Sequence, residues 1–261
     1  MEKFVDRLFA SADGAYTKTK IRSFIDLGYA FLNGKMHRVA TTPCRRQDKV
    51  ELRLAPLPEQ KKSKIRFTVI YDDPYIEVID KPVGVESDPK RFKGLVHRLD
   101  KETSGLLIRA KTEEAQRAFE ELFKERKIHK SYLAIVVGHF KNGVTIDLPI
   151  GRVGRIEGFE HFGVLATGRK AITHIKPMSE TPLFTMVACT PTTGRTHQIR
   201  VHLKAVGHPI VGDLLYGEKT KKYERMYLHA NMLQFLHPFL NKEITIFSNT
   251  PDEFDRFMGK K

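Results

Sequence analysis

The spacing of apolar residues changes several times along the chain, and each change marks an element. Ile21, Phe24 and Ile25 recur at helical spacing, and Gly28 is placed to end the helix they predict. Asn33-Gly34 separates Ala30-Phe31-Leu32 from Met36-His37-Arg38-Val39, the pattern of a tight hairpin. Val50, Leu52 and Leu54 then alternate with polar or charged residues, as one face of a half-buried strand does. Pro56 to Lys64 is rich in Pro and Lys, offers no face to bury and predicts a linker. The chain is therefore expected to divide into a helix-plus-hairpin module over 1–55, a linker over 56–64 and a larger domain over 65–261.

Within the larger domain Ile65, Phe67 and Val69 alternate with polar residues, Asp72-Asp73-Pro74 predicts a turn, and Ile76 to Ile79 a strand broken by Lys81-Pro82-Val83-Gly84. Leu106 to Ile108 reads as a short buried strand. Thr112 is placed to cap a helix with the stripe Ala115, Ala118, Phe119, Leu122 and Phe123. Tyr132–Val137, Ala171–Ile175 and Phe184–Cys189 predict strands. Ile199, His202, Leu203 and Val206 predict a helix over Thr196–Val206, closed by Gly207, and Leu228–Leu233 and Ile244–Phe247 predict two more strands. Many strands, few helices and no regular βαβ alternation give an α+β class with a mixed or antiparallel sheet.

Composition narrows the function. The 261 residues are 41% hydrophobic and 29% charged, with no apolar run long enough to span a bilayer. The opening Met1–Ala10 contains acids and no small-residue cleavage site, unlike a secretory leader. Cys44 and Cys189 form no CxxC pair and are expected to be reduced thiols, which places the protein in the cytoplasm. A net charge of +14 points to a polyanionic partner. Residues 1–64 carry 14 basic and 7 acidic side chains, so a quarter of the chain holds half of that excess.

Two segments concentrate polar residues where a core would exclude them. In Gly94 to Gly105, Asp100 sits among Arg98, Thr103 and Ser104, either as a turn-ordering carboxylate or as a catalytic one. In Thr192 to Leu203, a glycine turn enters a predicted helix with Arg195, Thr196, His197 and Gln198 as donors, suited to phosphate or base contacts or to a solvated helix face. Arg200 lies between Ile199 and Val201; an arginine so placed needs a carboxylate partner, and Asp100 is a candidate. No HExxH, Walker loop or GxGxxG occurs, so neither a metal nor a nucleotide cofactor is expected.

His97-Arg98-Leu99-Asp100-Lys101-Glu102-Thr103-Ser104-Gly105-Leu106-Leu107 resembles the catalytic motif of the RluA-type pseudouridine synthases. Lys130 to Ala134, Gly194 to Leu203 with Gly207 to Asp213 and Leu215-Tyr216-Gly217, and Leu228-His229-Ala230 with His237-Pro238 resemble further motifs of that family, over roughly residues 67 to 247. The first module resembles the alpha-L RNA-binding domain first seen in a ribosomal small-subunit protein. The resemblance implies a pseudouridine synthase that isomerises uridines in rRNA or tRNA, with Asp100 as nucleophile or base. It further implies that Tyr132 stacks on the target base, Arg200 pairs with Asp100, and Arg98 fills the space the flipped nucleotide leaves. Leu203 would pack under the site. Thr103, Arg195, Thr196, His197 and Gln198, with Lys18, Lys20, Arg22, Lys35 and Arg38 of the first module, are the candidate RNA contacts. Only Lys90 to Val96 separate Pro89 from His97, a stretch usually longer in the family. A monomer is expected. The rival readings are a catalytically silent RNA-binding or ribosome-assembly factor on the same scaffold, and a hydrolase or nuclease using its histidines.

Overall fold

The computed structural model describes residues 2–26, 28–53, 67–156, 159–218 and 223–259. Two units form, Met1–Ile65 and Arg66–Lys261. Residues 56–64, expected to be a linker, and Leu54 and Ile65, expected in flanking strands, lie outside the described residues.

The first unit runs β1 (Glu2–Lys3), α1 (Phe4–Ser11), α2 (Lys18–Asp26), β2 (Ala30–Leu32), β3 (Lys35–Met36), β4 (Pro43–Cys44) and β5 (Val50–Leu52). Ile21, Phe24 and Ile25 are buried as their spacing predicts. They meet Phe4, Val5 and Leu8 of α1, a helix the residue pattern did not reveal. Asn33 and Gly34 take φ of 51° and 77°, the left-handed pair a two-residue hairpin requires, and join β2 to β3. Lys20, Arg22, Lys35 and Arg38 are exposed, and Lys18 pairs with Asp6.

The second unit is built on one mixed sheet. Its strands are β6 (Thr68–Asp72), β7 (Ile76–Lys81), β8 (Ser104–Ala110), β9 (His129–Val137), β10 (Val144–Asp147), β13 (Ile172–Glu180), β14 (Phe184–Pro191), β15 (Leu228–Leu236) and β16 (Glu243–Phe247). A separate ribbon pairs β11 (Ile150–Ile156) with β12 (Phe159–Val164). The path through the sheet is β10-β13-β14-β9-β15-β8-β7-β6, with β16 beside β15. All of these pairings are antiparallel except β15 with β8, where His229 faces Ser104 and Ala230 faces Gly105. This is the α+β, mixed-sheet class expected from the sequence. Gly105, at φ +112°, is needed there, because a Cβ would stand 2.2 Å from the Ala230 carbonyl oxygen.

Two helices cover this sheet. In α3 (Glu113–Lys124) the Thr112 hydroxyl accepts the Ala115 N–H at 3.1 Å as a cap, while Ala115 and Phe119 pack on Ile76, Leu106 and Phe235. In α4 (Gln198–Ala205) Ile199 and Leu203 pack on Ala134, Val187 and Leu228, with Tyr132 against the same cluster. A short α5 (Asp252–Phe257) sends Phe254 against Leu133 and Tyr227.

Three expectations are corrected. Val69 is 49% exposed, because β6 is an edge strand whose register with β7 shifts between Val69 and Tyr71. Helix α4 begins at Gln198 rather than Thr196, because His197 takes left-handed backbone (φ 56°) and cannot extend the helix backwards. Val206 lies beyond its last residue and is 36% exposed.

Candidate active site

The loop from His97 to Thr103 is fastened at several points, which fixes the backbone of Asp100. Ser87 Oγ donates to the Leu99 carbonyl at 2.9 Å and accepts the Leu99 N–H at 3.2 Å. Thr103 N–H donates to the Asp100 carbonyl at 3.0 Å. Fully buried Lys81 donates to the carbonyls of Val85 (2.8 Å), Pro82 (3.0 Å) and Lys101 (3.3 Å), and burial lowers its pKa to about 8. His97 Nε2 accepts the Ile108 N–H at 3.0 Å while its ring stacks on Phe123 at 4.4 Å. Burial, with the charge of Lys130 added, pushes His97 down to about 3, so it is a neutral structural ring at neutral pH.

Asp100 keeps 29% of its side chain exposed, and its Oδ2 accepts from Arg200 Nη1 at 3.1 Å. Arg200 is held from behind by Asp213, whose carboxylate accepts from Nε at 2.7 Å and Nη2 at 2.9 Å. Asp213 has no exposed side-chain surface, and its Oδ1 also accepts the N–H groups of Leu215 and Tyr216, each at 3.0 Å. Burial opposes the charge of Arg200, but the bonds and charges of Asp213 and then Asp100 outweigh it and hold the group above its ordinary value. Its guanidinium lies 4.9 Å from the Tyr216 ring centre.

His197 also approaches Asp100, with Nε2 at 3.8 Å from Oδ2. Tyr216 Oη accepts the Phe162 N–H at 3.1 Å and is 2.8 Å from His197 Nδ1. The tautomer that lets Tyr216 donate to Nδ1 leaves Nε2–H facing the carboxylate. Burial lowers the His197 pKa. Tyr132 stands on β9, and burial, then the charge of Asp100, pushes its phenol well above the ordinary range. It is a neutral aromatic surface beside the carboxylate.

Asp100, Tyr132, His197, Arg200 and Asp213 line one cleft of about 1720 Å³. That exceeds the ~300–1,000 Å³ of small-molecule sites and leaves room for nucleotides with their backbone. Asp100, Tyr132 and Arg200 meet in it, with Arg98 and Thr196 exposed and Arg195 half-exposed. Two of the candidate RNA-binding residues fare differently. Gln198 is buried with its amide used inside the protein: Nε2 donates to Ile172 O and Thr173 Oγ1, while Oε1 accepts from Thr193 Oγ1 and Arg195 N. Its place is to order the glycine turn. Thr103 is 2% exposed.

The residue pattern assigned no role to Asp213 or to a chain of buried hydrogen bonds behind the loop. Arg225 Nη2 donates to Ser104 Oγ at 2.5 Å, and Ser104 lies 2.8 Å from His229 Nδ1. His229 Nε2 lies 3.1 Å from Ser248 Oγ, which donates to Asp80 Oδ2 at 2.5 Å. Because the ends are a guanidinium and a carboxylate, every hydrogen points the same way, and His229 is neutral with its proton on Nε2. Burial lowers its pKa to about 4. The need of a buried, fork-shaped Arg200 for a second carboxylate is the signal that could have found Asp213.

The fold resembles that of pseudouridylate synthase domains. The structure of human RNA pseudouridylate synthase domain containing 1 matches with a TM-score of 0.63 and 32% identity, covering 72% of this chain and 85% of that one. The family described as RNA pseudouridylate synthase matches residues 83–205. A ribosomal large subunit pseudouridine synthase D of Xanthomonas campestris pv. campestris is 33% identical, over 97% of this chain and 87% of its own length. The protein of that name from Escherichia coli O157:H7 is 29% identical, over 95% and 87%. The chain belongs to the RNA pseudouridylate synthase family, of the RluA type, and is a pseudouridine synthase, an isomerase.

Proposed function

We propose that this protein converts specific uridines of large-subunit ribosomal RNA to pseudouridine, in the cytoplasm and as a monomer, with Asp100 as the nucleophile or base. Of rRNA and tRNA, the names of the curated relatives favour the former. The observation that carries the reading is the Asp100 carboxylate, tied to Arg200 on one side and open to a nucleotide-sized cleft beside Tyr132 on the other. The reaction breaks the bond from uracil N1 to C1′ and joins C5 to C1′. A proton leaves C5 and one is taken up at N1, so atoms and electrons balance without an external reactant. Extruding the uridine from its stack costs a few kcal/mol, which stacking on Tyr132 offsets by about 1–3 kcal/mol. Arg98, exposed on the catalytic loop, fills the vacated space. The first unit acts as an alpha-L type RNA-binding domain through Lys18, Lys20, Arg22, Lys35 and Arg38.

The test is tritium release from ribosomal RNA labelled at uracil C5. Wild-type protein should release tritium, and Asp100→Asn should release none while binding the RNA within about 1 kcal/mol of wild type. Turnover by Asp100→Asn would sink the assignment, and binding without release by the wild type would favour a silent RNA-binding factor.

A further inference from the structure

The cleft gathers cations that no carboxylate of the described residues pairs with. Lys130 lies on β9 two residues before Tyr132. Its Nζ is 5.7 Å from the Phe123 ring centre and 3.7 Å from where a Cβ on Gly194 would stand. Arg195, next after Gly194, is anchored by Nε donating to the Lys170 carbonyl at 3.0 Å, which fixes the direction of its guanidinium. Arg126 follows α3 and Arg169 precedes β13. Arg126, Arg169 and Arg195, from distant parts of the chain, line one cleft, and burial and then the charges of Arg169 and Arg126 pull Arg195 below its ordinary value. All four side chains line the same cleft as Asp100.

Four of the carboxylates that line the cleft are engaged elsewhere, and among the described residues Glu86 and Glu102, which also line it, form no ion pair with these cations. Asp100 and Asp213 serve Arg200, Glu160 pairs with Arg152 at 3.3 Å, and Glu224 with Arg256 at 3.9 Å. Among the described residues no carboxylate pairs with Lys130, Arg126, Arg169 or Arg195. Like charges converging without a counter-ion repel, and an anion offering several oxygens relieves that repulsion. Arginine forks fit phosphate oxygens in pairs, and a lysine adds a point charge. Arg126 takes left-handed backbone at φ 61°, where glycine or asparagine would be less strained, yet a long cation stands there.

We propose that Lys130, Arg126, Arg169 and Arg195 form a site for backbone phosphates of the RNA strand beside the target uridine. The inference rests on the RNA reading above and adds where the strand runs. Alternate residues of a strand share a face and stand about 7 Å apart, so a phosphate held by Lys130 lies within a nucleotide's reach of a base stacked on Tyr132. The RNA therefore leaves the target position toward the Gly194 turn and the end of α3.

The experiment uses the full chain and transcribed large-subunit ribosomal RNA. It compares wild type, Arg126→Ala with Arg169→Ala, and a charge-matched control, Lys141→Ala with Lys242→Ala. Arg126 and Arg169 are exposed, so the fold should hold, and an unchanged thermal midpoint checks this. Equilibrium binding across a salt series should give a log–log slope shallower by about 0.7 for each single-strand phosphate that the variant no longer neutralises. In tritium release, KM should rise on the order of tenfold while kcat at saturating RNA holds. Slopes and KM equal to the control would overturn the site. A wild type that binds this RNA but releases no tritium would overturn the proposed reaction, and the salt slopes would still decide the phosphate site.

Discussion

Arg200 is divided between two carboxylates, and the division is unequal. Asp213 takes two of its nitrogens and is closed to solvent, whereas Asp100 takes one and faces the cleft. Replacing Arg200 by Ala strands the buried Asp213 charge, so urea unfolding should show a loss of about 3–5 kcal/mol, toward the lower end because two backbone N–H groups still serve that carboxylate. Turnover should fall with it. Arg200→Lys keeps the charge but not the fork and should recover part of the stability and little of the activity. A loss under about 1 kcal/mol for the alanine variant would mean that Asp213 is neutral or otherwise supported. From the sequence, an arginine between Ile199 and Val201 shows that a carboxylate is required and Asp100 is a fitting choice. Nothing local shows that two are supplied, since Asp213 is thirteen residues downstream and brought back by the turn after α4. A polar residue in a polar segment is as able to tie the loop together as to face a ligand, and the Gln198 amide is used for the former.

The loop that carries Asp100 depends on elements far from it in sequence. Ser104, the residue that follows it, is bonded to Arg225 and His229, and through His229 and Ser248 to Asp80 on β7. His229 has a folded pKa of about 4 against an ordinary 6.5, so as pH falls the unfolded chain binds the proton first. Its contribution to stability is complete above about pH 6.5 and is lost between there and about pH 4, by about 3 kcal/mol in all. His229→Gln offers an acceptor and a donor in the same order without titrating. Unfolding followed from pH 7 to pH 4.5 should therefore show a smaller loss for this variant than for wild type. Equal losses would place the acid sensitivity elsewhere. At this scale the sequence was most legible where one period ran uninterrupted, as in α2, α3, β9 and β14. It was least legible in α1, where Phe4, Val5 and Leu8 form too short a stripe, and in the β11–β12 ribbon, where Arg152, Gly154 and Arg155 interrupt any alternation. The start of α4 was misplaced because left-handed backbone at His197 leaves no mark in the residue pattern.

Charge and topology act over the whole molecule. The first unit has its own core and half of the net charge. Deleting residues 1–55 should raise KM and flatten the salt dependence of RNA binding while leaving kcat at saturation near wild type. A salt slope that does not move would show that this basic excess does not touch RNA. The mixed sheet was legible from the lack of βαβ alternation, but strand order was not, because pairing between distant segments has no local signature. That order has a consequence in time. Strand β15 lies between β9 and β8 and is the seam joining two half-sheets, β10-β13-β14-β9 and β8-β7-β6. A growing polypeptide releases both halves before their seam, so each waits with a raw edge open to wrong partners. Ser104 waits too, since His229 arrives with β15. The Asp100 loop thus gains its finished frame only once β15 has been made, and a nascent chain stopped short of residue 228 would hold Asp100 without the frame that sets it.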